Sequence, residues 1–527
     1  MQKLLLLADE AIAQGALDGG LSGVYAYPGT PSTEITEYIQ ASPEAKEKGI
    51  HCRWSSNEKT AMESAMGMSF VGKRSLVCMK HVGLNVAADP FMNASITGVN
   101  GGVLVLSADD PSMHSSQNEQ DSRYYGKFAL IPVLEPSNQQ EAYDMAYNGL
   151  ELSEKLGRPV MLRITTRLAH SRAGVVRRAP KQQNEMSAPK IDRQFILLPA
   201  NAKKRYADLL ASQSVYEQSS SESEYNRFED GADHSLGILA CGIGYNYLME
   251  NFPNGCPYPV LKIGQYPLPR KATENLLNTC DKVLVLEEGY PLIEELLKGY
   301  TAKALNISGR LDGTLPRQGE LTPDLVGVAL GVKEPIEKVI PEVVKMRPPA
   351  LCQGCGHRDM YEALNAVLAE YPTKRVFGDI GCYTLGALPP FGAIDSCLDM
   401  GASITMAKGA ADGGLFPAVA VIGDSTFTHS GMTGLLDAVN ENSNITVVIS
   451  DNETTAMTGG QDSAGTGKIE AICLGLGVAK EHVRVFVPLK KNFEEMTRII
   501  REEIEYKGVS VIIPRRECLQ TLKRKKK

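Results

Sequence analysis

No run of apolar residues in this chain approaches the ~18 that a bilayer-crossing helix needs. With 43% hydrophobic residues and a mean hydropathy of −0.16, the composition fits a globular protein without a membrane anchor. A basic excess is missing as well: Lys and Arg number 55 against 62 Asp and Glu, a formal net charge of −7. A nucleic-acid partner needs a basic surface to meet phosphate, so none is expected, and the terminal KRKKK run reads as a solvated tail. The opening stretch MQKLLLLADEAIAQGALDGG has one lysine and only four consecutive leucines before Asp9 and Glu10. That pattern predicts an amphipathic helix and not a secretory signal, and the expected location is cytoplasmic. Short-period repeats and coiled-coil heptads are also absent.

A disulfide framework is not expected from the eleven cysteines, because a cytosolic compartment keeps thiols reduced. Cys52, Cys78, Cys241, Cys256, Cys280, Cys397 and Cys473 stand singly, mostly in apolar or loop contexts, and read as small buried hydrophobes. Cys352 and Cys355 differ. In LCQGCGH they form a Cys-x-x-Cys turn, which presents two thiolates to one metal cluster or makes a redox dithiol.

What the chain does contain is alternation. Its 527 residues exceed what one core can organise and predict roughly three domains of ~100–200 residues. Over 1–180, short β-rich runs such as SLVCM and GVLVLSA alternate with helical stretches such as NEKTAMESAMGMSFVG, the pattern of a doubly wound parallel α/β layer. A polar segment, 181–234, includes SQSVYEQSSSESEYNRFEDGADHS and reads as a linker or excursion. LGILACGIGYNYLME and KVLVLEEGYPLIEELL define a smaller α/β middle domain over 235–345, ending in the connector EKVIPEVVKMRPP. The last domain, 346–527, holds VFGDIG, AVAVIGDS and ITVVISDN, each a strand closing in a turn rich in Gly, Asp or Asn. Ligands of open parallel sheets sit at such strand ends.

VIGDSTFTHSG and ISDNETTAMTGGQ therefore bring Asp424, Asp451, Asn452 and Thr454 to one sheet edge if their strands are neighbours. Carboxylate, amide and carbonyl oxygens around a diphosphate suit Mg²⁺. Gly423 lets the backbone approach a ligand, and a helix beginning near Ser430 can offer amides to phosphate. A single Gly-Asp or Asp-Asn is ordinarily a turn or cap; two on consecutive strands favour the metal reading.

With these motifs the chain resembles thiamine diphosphate enzymes, although Ser425 stands where the general signature has Gly. YPGTPSTEITEYI, SSNEKTAMESAMGMSFVGKRSLVCMKHVGLN, GDIGCYTLGALPP and DNETTAMTGGQDS resemble the large (alpha) subunit of indolepyruvate ferredoxin oxidoreductase, within the 2-oxoacid ferredoxin oxidoreductase superfamily. The likeness runs from Tyr27 to about Cys518. It implies a thiamine diphosphate-binding fold with a transketolase C-terminal-like middle domain. It also implies Mg²⁺ held by Asp424, the Asn452 side chain and the Thr454 carbonyl, with Gly423 and Ser425 flanking the cofactor. Glu58 matches the family's glutamate beside the aminopyrimidine, where a carboxylate drives the cofactor's own amino group to act as base. Glu63, one turn on, is the competing carboxylate, and a surface ion pair is the plain alternative for either. Thr30 is a candidate for hydrogen bonding the 2-oxoacid carboxylate, while Thr30-Pro31 also suits a helix start. Arg123 is a plausible fork for that carboxylate, or an ion-pair partner of Asp121. His81 and His429 are candidate proton shuttles, or packing histidines.

The resemblance further implies one four-iron–four-sulfur cluster ligated by Cys352, Cys355, Cys382 and Cys518, with Cys473 as the alternative fourth ligand and unligated thiols as the alternative to a cluster. The related subunit often continues into a ferredoxin-like module with repeated Cys-x-x-Cys-x-x-Cys runs, whereas this sequence stops at LQTLKRKKK. Electrons are then expected to leave through another protein. A small beta subunit, ferredoxin or a similar carrier, and a dimer of heterodimers are the implied partners. The implied reaction is oxidative decarboxylation of aryl 2-oxoacids to acyl-coenzyme A and CO₂, with coenzyme A as co-substrate. A non-oxidative thiamine decarboxylase and a non-catalytic regulatory paralogue are the rival readings.

Overall fold

The computed structural model describes residues 3–191, 194–299, 306–335, 340–345, 347, 349–397, 399–412 and 414–525. The chain divides into two compact units, Met1–Val339 and Ile340–Lys527. Part of the connector EKVIPEVVKMRPP lies outside the described residues. No helix among those described is long and apolar enough to cross a membrane.

The first unit holds a seven-stranded sheet in the spatial order Gln265–Tyr266, Val133–Leu134, Val160–Thr165, Val103–Asp109, Ser75–Lys80, Gly23–Ala26 and His51–Trp54. All neighbours are parallel except Gln265–Tyr266, which runs antiparallel at the edge. Its central strands are buried throughout, as the continuous runs SLVCMK and VLVLSAD require of strands covered on both faces. The same unit carries a five-stranded sheet ordered Ile307–Ser308, Val283–Leu286, Gly237–Cys241, Val260–Ile263 and Arg227–Glu229.

Two segments differ from the sequence-based expectation. The N-terminus is not helical from its start. Lys3–Leu7 is a strand paired antiparallel with Arg172–Val176, and the helix begins only at Ala8. Four leucines carry no helical period of their own, so a distant partner strand decided their state. The polar stretch within 181–234 is not an open linker either. Gln213–Ser221 is a helix that buries Tyr216 and Ser220, and Ser220 Oγ donates to the Gln265 carbonyl at 3.0 Å. Arg227–Glu229 then pairs antiparallel with Val260–Ile263. A few anchoring side chains and backbone pairing, invisible to average composition, hold this segment.

The second unit is built on one six-stranded parallel sheet ordered Ser396–Cys397, Arg375–Gly378, Ala418–Gly423, Ile445–Ser450, Val509–Pro514 and Val483–Phe486. Two apolar clusters cover its faces, one around Tyr361, Leu364 and Ile500, the other around Ile404, Phe427 and Leu435.

Candidate active site

In the second unit, Ala418–Gly423 and Ile445–Ser450 are adjacent and parallel, with Gly423 opposite Ser450. The next residues, Asp424 and Asp451, therefore leave the sheet side by side at its carboxyl edge. The helix starts at Asp424 itself and not near Ser430, because Gly423 is extended (φ −85°, ψ 159°) and turns the chain directly into the first helical residue. A side chain at 423 would strike the Tyr383 ring, whose Cε1 would lie 2.8 Å away. Phe427–Gly431 winds as a π-helix, a local departure frequent at functional sites.

Asp424 is 2% exposed, and its Oδ2 has no hydrogen-bond partner among the described residues. Burial raises its carboxyl to about 7, with the neighbouring Asp451 carboxylate adding to the rise and the Ser463 hydroxyl opposing it. A buried carboxylate oxygen without a donor at a helix start is chemically complete only with a proton or a cation. The loop after Ser450 supplies the other oxygens. Asn452 Oδ1 accepts from the Thr454 amide at 3.2 Å, and between them Glu453 takes φ +62°, a conformation that side-chain-bearing residues rarely hold. Thr454 is fixed by its pairing with Asp462 and by Oγ1 donating to the Gln461 carbonyl at 2.9 Å. Ser425 Oγ lies 2.9 Å from Thr455 Oγ1, tying the two loops together. This donor set fits a Mg²⁺ ion on Asp424, Asn452 and the Thr454 carbonyl. His429 is buried in the π-helical turn with Nδ1 2.5 Å from Ser430 Oγ.

Cys352, Cys355, Cys382 and Cys518 line one cavity of about 150 Å³, with Asn452 and Asp451 also in its wall. The Cys-x-x-Cys turn closes with the Cys355 amide donating to the Cys352 carbonyl at 3.1 Å; Gly354, at φ +76°, allows it. Burial pushes the Cys382 thiol up to about 12, and the nearby Cys518, Cys355 and Cys352 push it further in the same direction. Four sulfurs around one cavity can serve as the ligands of a polynuclear cationic cluster. Cys473, the alternative fourth ligand, is buried in the helix Ile469–Gly475 among apolar side chains and does not line the cavity. His357 Nδ1 lies 3.1 Å from Cys355 Sγ, a contact that the reading of LCQGCGH passed over.

In the first unit, Glu58 opens the helix Glu58–Phe70 and is 5% exposed. Its carboxylate packs on Gly83: a Cβ there would lie 2.4 Å from Glu58 Oε1. Gly83, inside the quoted stretch KHVGLN, gives the Glu58 carboxylate its room, a contact that sequence reasoning missed. Glu63 is half exposed and paired with Lys59 on the surface. His81 Nε2 is 3.2 Å from the Asn118 carbonyl, and its Nδ1 is buried with no hydrogen-bond partner among the described residues. Thr30 does not start a helix. The helix is Thr33–Ala41, and Gly29 is held by Thr33 Oγ1 at 3.1 Å, which leaves the Thr30 side chain outside any capping role. Ser115 Oγ donates to the Thr30 carbonyl at 3.4 Å.

Arg123 needs correction. Its guanidinium is wholly buried, donating from Nε to Asp121 Oδ1 at 2.9 Å and from Nη2 to the Tyr290 carbonyl at 2.9 Å, with Nη1 3.1 Å from Glu287 Oε2. It is committed to a structural ion network with Asp121, Glu135 and Glu287 and is not open to a substrate carboxylate.

Two family models of thiamine diphosphate-binding domains match the chain. Residues 14–225 match the family described as "Pyruvate flavodoxin/ferredoxin oxidoreductase, thiamine diP-bdg", and residues 379–513 match "Thiamine pyrophosphate enzyme, C-terminal TPP binding domain". A structure of 2-oxoglutarate:ferredoxin oxidoreductase from Magnetococcus marinus, with 2-oxoglutarate, coenzyme A and succinyl-CoA bound, is similar in fold at a TM-score of 0.52 and 18% identity, over 62% of this chain and 65% of that one. These place the chain among thiamine diphosphate-binding oxidoreductase subunits. Indolepyruvate oxidoreductase subunit IorA of Archaeoglobus fulgidus is 39% identical over 547 residues, covering 98% of this chain and 86% of that protein. Its counterpart in Pyrococcus horikoshii is 38% identical over 566 residues, with the same coverage. The chain belongs to the family of indolepyruvate oxidoreductase subunit IorA.

Proposed function

We propose that this chain, with a small partner subunit, oxidatively decarboxylates an aryl 2-oxoacid such as indolepyruvate, releasing CO₂, transferring the acyl group to coenzyme A and passing electrons to ferredoxin or a similar carrier. The observation that carries the reading is the meeting, in one unit, of the unpartnered Asp424 Oδ2 and a cavity lined by four cysteines and Asn452. When bound, thiamine diphosphate supplies carbanion stabilisation at the substrate's carbonyl carbon, and an iron–sulfur cluster supplies one-electron transfer.

The chain's own groups do the rest. Asp424, the Asn452 side chain and the Thr454 carbonyl hold Mg²⁺, and the amides at the helix start after Gly423, with Ser425, face the diphosphate. Glu58 holds the proton at the aminopyrimidine nitrogen. Thr30 donates to the substrate carboxylate, and His429 moves a proton. Cys352, Cys355, Cys382 and Cys518 hold the cluster. The domain division proposed is 1–180, 181–234, 235–345 and 346–527, the middle one transketolase C-terminal-like, in a dimer of heterodimers in the cytoplasm. An anaerobic assay with indolepyruvate, phenylpyruvate and pyruvate, with and without coenzyme A, and with a viologen acceptor tests this. Dye reduction dependent on coenzyme A with an aryl substrate is expected. Product formed without either acceptor or coenzyme A would identify a non-oxidative decarboxylase.

A further inference from the structure

In the first unit, Asp9, Glu34 and His170 each offer one ligand atom, and these three atoms all lie within 4.8 Å of one another. The backbone explains the meeting. The N-terminal strand pairs antiparallel with Arg172–Val176 and ends with Leu7 opposite Arg172; Asp9, in the first turn of the helix Ala8–Asp18, and His170, capping the helix Thr166–Ala169, each lie two residues beyond that last pair. Glu34 comes from the first turn of the helix Thr33–Ala41, which packs on the helix Ala8–Asp18.

The electrostatics of the cluster are incomplete as it stands. Asp9 is 0% exposed, and neither of its carboxylate oxygens has a hydrogen-bond partner among the described residues. Glu34 Oε2 and Thr36 Oγ1, on the same helix, are also buried without one. The buried Cys78 thiol lies near Asp9 and interacts with the Thr36 hydroxyl. Burial, and then the Glu34 and Glu10 carboxylates, push the Asp9 carboxyl far above its usual range, while Glu34 draws the His170 imidazole upward. Acceptors facing acceptors need positive charge between them, either a proton shared by Asp9 and Glu34 or a metal ion.

A protonated His170 serves Glu34 alone, its Nε2 3.6 Å from Glu34 Oε1, and leaves both Asp9 oxygens without a hydrogen-bond partner among the described residues; a neutral imidazole can join both carboxylates as a ligand. Two carboxylate oxygens and one imidazole nitrogen form a ligand set suited to first-row divalent cations. We propose that Asp9, Glu34 and His170 bind such a cation, of the zinc class, with water completing its coordination. The His170 and Glu34 side chains are 37% and 35% exposed, which gives the ion a path in and leaves room for that water. The ion would tie together the helix Ala8–Asp18, the turn before Arg172–Val176 and the helix Thr33–Ala41.

The test uses the full-length chain stripped with a chelator and titrated with Zn²⁺ alone in excess Mg²⁺, followed by calorimetry and elemental analysis. Wild type is compared with Asp9→Asn, which keeps the side chain's shape, and with His170→Gln, which alters only a half-exposed position. Circular dichroism and thiamine diphosphate binding show that each variant is folded. Wild type should bind one equivalent more than either variant at matched Zn²⁺, its affinity at this site exceeding theirs by at least ~10–100-fold. With Co²⁺ in place of Zn²⁺, the spectrum of wild type minus that of either variant should show ligand-field bands without a thiolate charge-transfer band, since the cysteine site is the same in all three proteins. Equal Zn²⁺ stoichiometry and equal Co²⁺ spectra in all three proteins would overturn the proposal and leave Asp9 and Glu34 sharing a proton. Should Asp9→Asn fail to fold, His170→Gln decides alone.

Discussion

The backbone amide of Cys518 donates to the carbonyl of Asn452 at 3.1 Å. Two residues earlier the Arg516 amide donates to the Asp451 carbonyl at 2.9 Å, and Arg515 Nε holds the Asp451 carboxylate at 2.7 Å. The segment Arg515–Cys518 is thus bound along the loop that carries a candidate Mg²⁺ ligand. A cluster on Cys518 and an ion on Asn452 would share one stretch of backbone.

The proposed cluster predicts iron. Protein prepared anaerobically should contain about four irons and four sulfides per chain. Cys355→Ser and Cys518→Ser should lose most of both, along with substrate-driven viologen reduction. Active enzyme with no iron would remove the cluster assignment.

Asp424 and Glu58 should fail in different ways. Asp424→Ala should abolish thiamine diphosphate binding in calorimetric titrations with Mg²⁺, since it removes the charge that anchors the ion. Glu58→Gln should still bind the cofactor, with turnover slowed by roughly 10²–10⁴ as for lost acid–base catalysis. Equal loss of binding in both variants would contradict these roles.

Gly83→Ala tests how Glu58 is positioned. The added methyl carbon would sit 2.4 Å from Glu58 Oε1, so the carboxylate must move. Cofactor affinity should hold while turnover falls by on the order of 10²-fold, the cost of an ångström-scale misplacement. Wild-type turnover in this variant would remove the role given to that contact.

Arg123→Met should act on stability and not on substrate affinity. It leaves Glu287 buried without the cation that pairs with it and leaves Asp121 and Glu135 to share Arg163 alone. Breaking a buried network of this kind costs about 3–5 kcal/mol, which a shift of the urea midpoint would report. A raised KM for the 2-oxoacid at unchanged stability would restore Arg123 to the substrate site.

His357 gives the metal-free chain a defined acid limit. Burial lowers its imidazole to about 4, against an ordinary value of 6.5. Between those values the unfolded chain takes up a proton that the folded chain refuses. The stability held by neutral His357 is therefore complete above about pH 6.5 and is lost as the pH falls toward 4, by on the order of 3 kcal/mol. Urea midpoints at pH 4.5 and 7.5 should differ less in His357→Gln than in wild type; equal differences would show that His357 does not titrate in this way.

Local chemistry made much of this protein legible in its sequence. Gly423-Asp424 and Asp451-Asn452 are strand-to-turn signals complete within a few residues, and the alternation of apolar runs with helical periods marked the parallel sheets. Tertiary structure decided what depends on partners distant along the chain. It made a strand of Lys3–Leu7, ordered the polar helix Gln213–Ser221, set Cys518 and not Cys473 beside the other three thiols, and enclosed Arg123 among carboxylates. It also brought Asp9, Glu34 and His170 together from three separate elements. The physical reason is shared: capping, turns and periodicity act over one or two helical turns, whereas strand register and burial are fixed only when separate elements of the chain pack against one another.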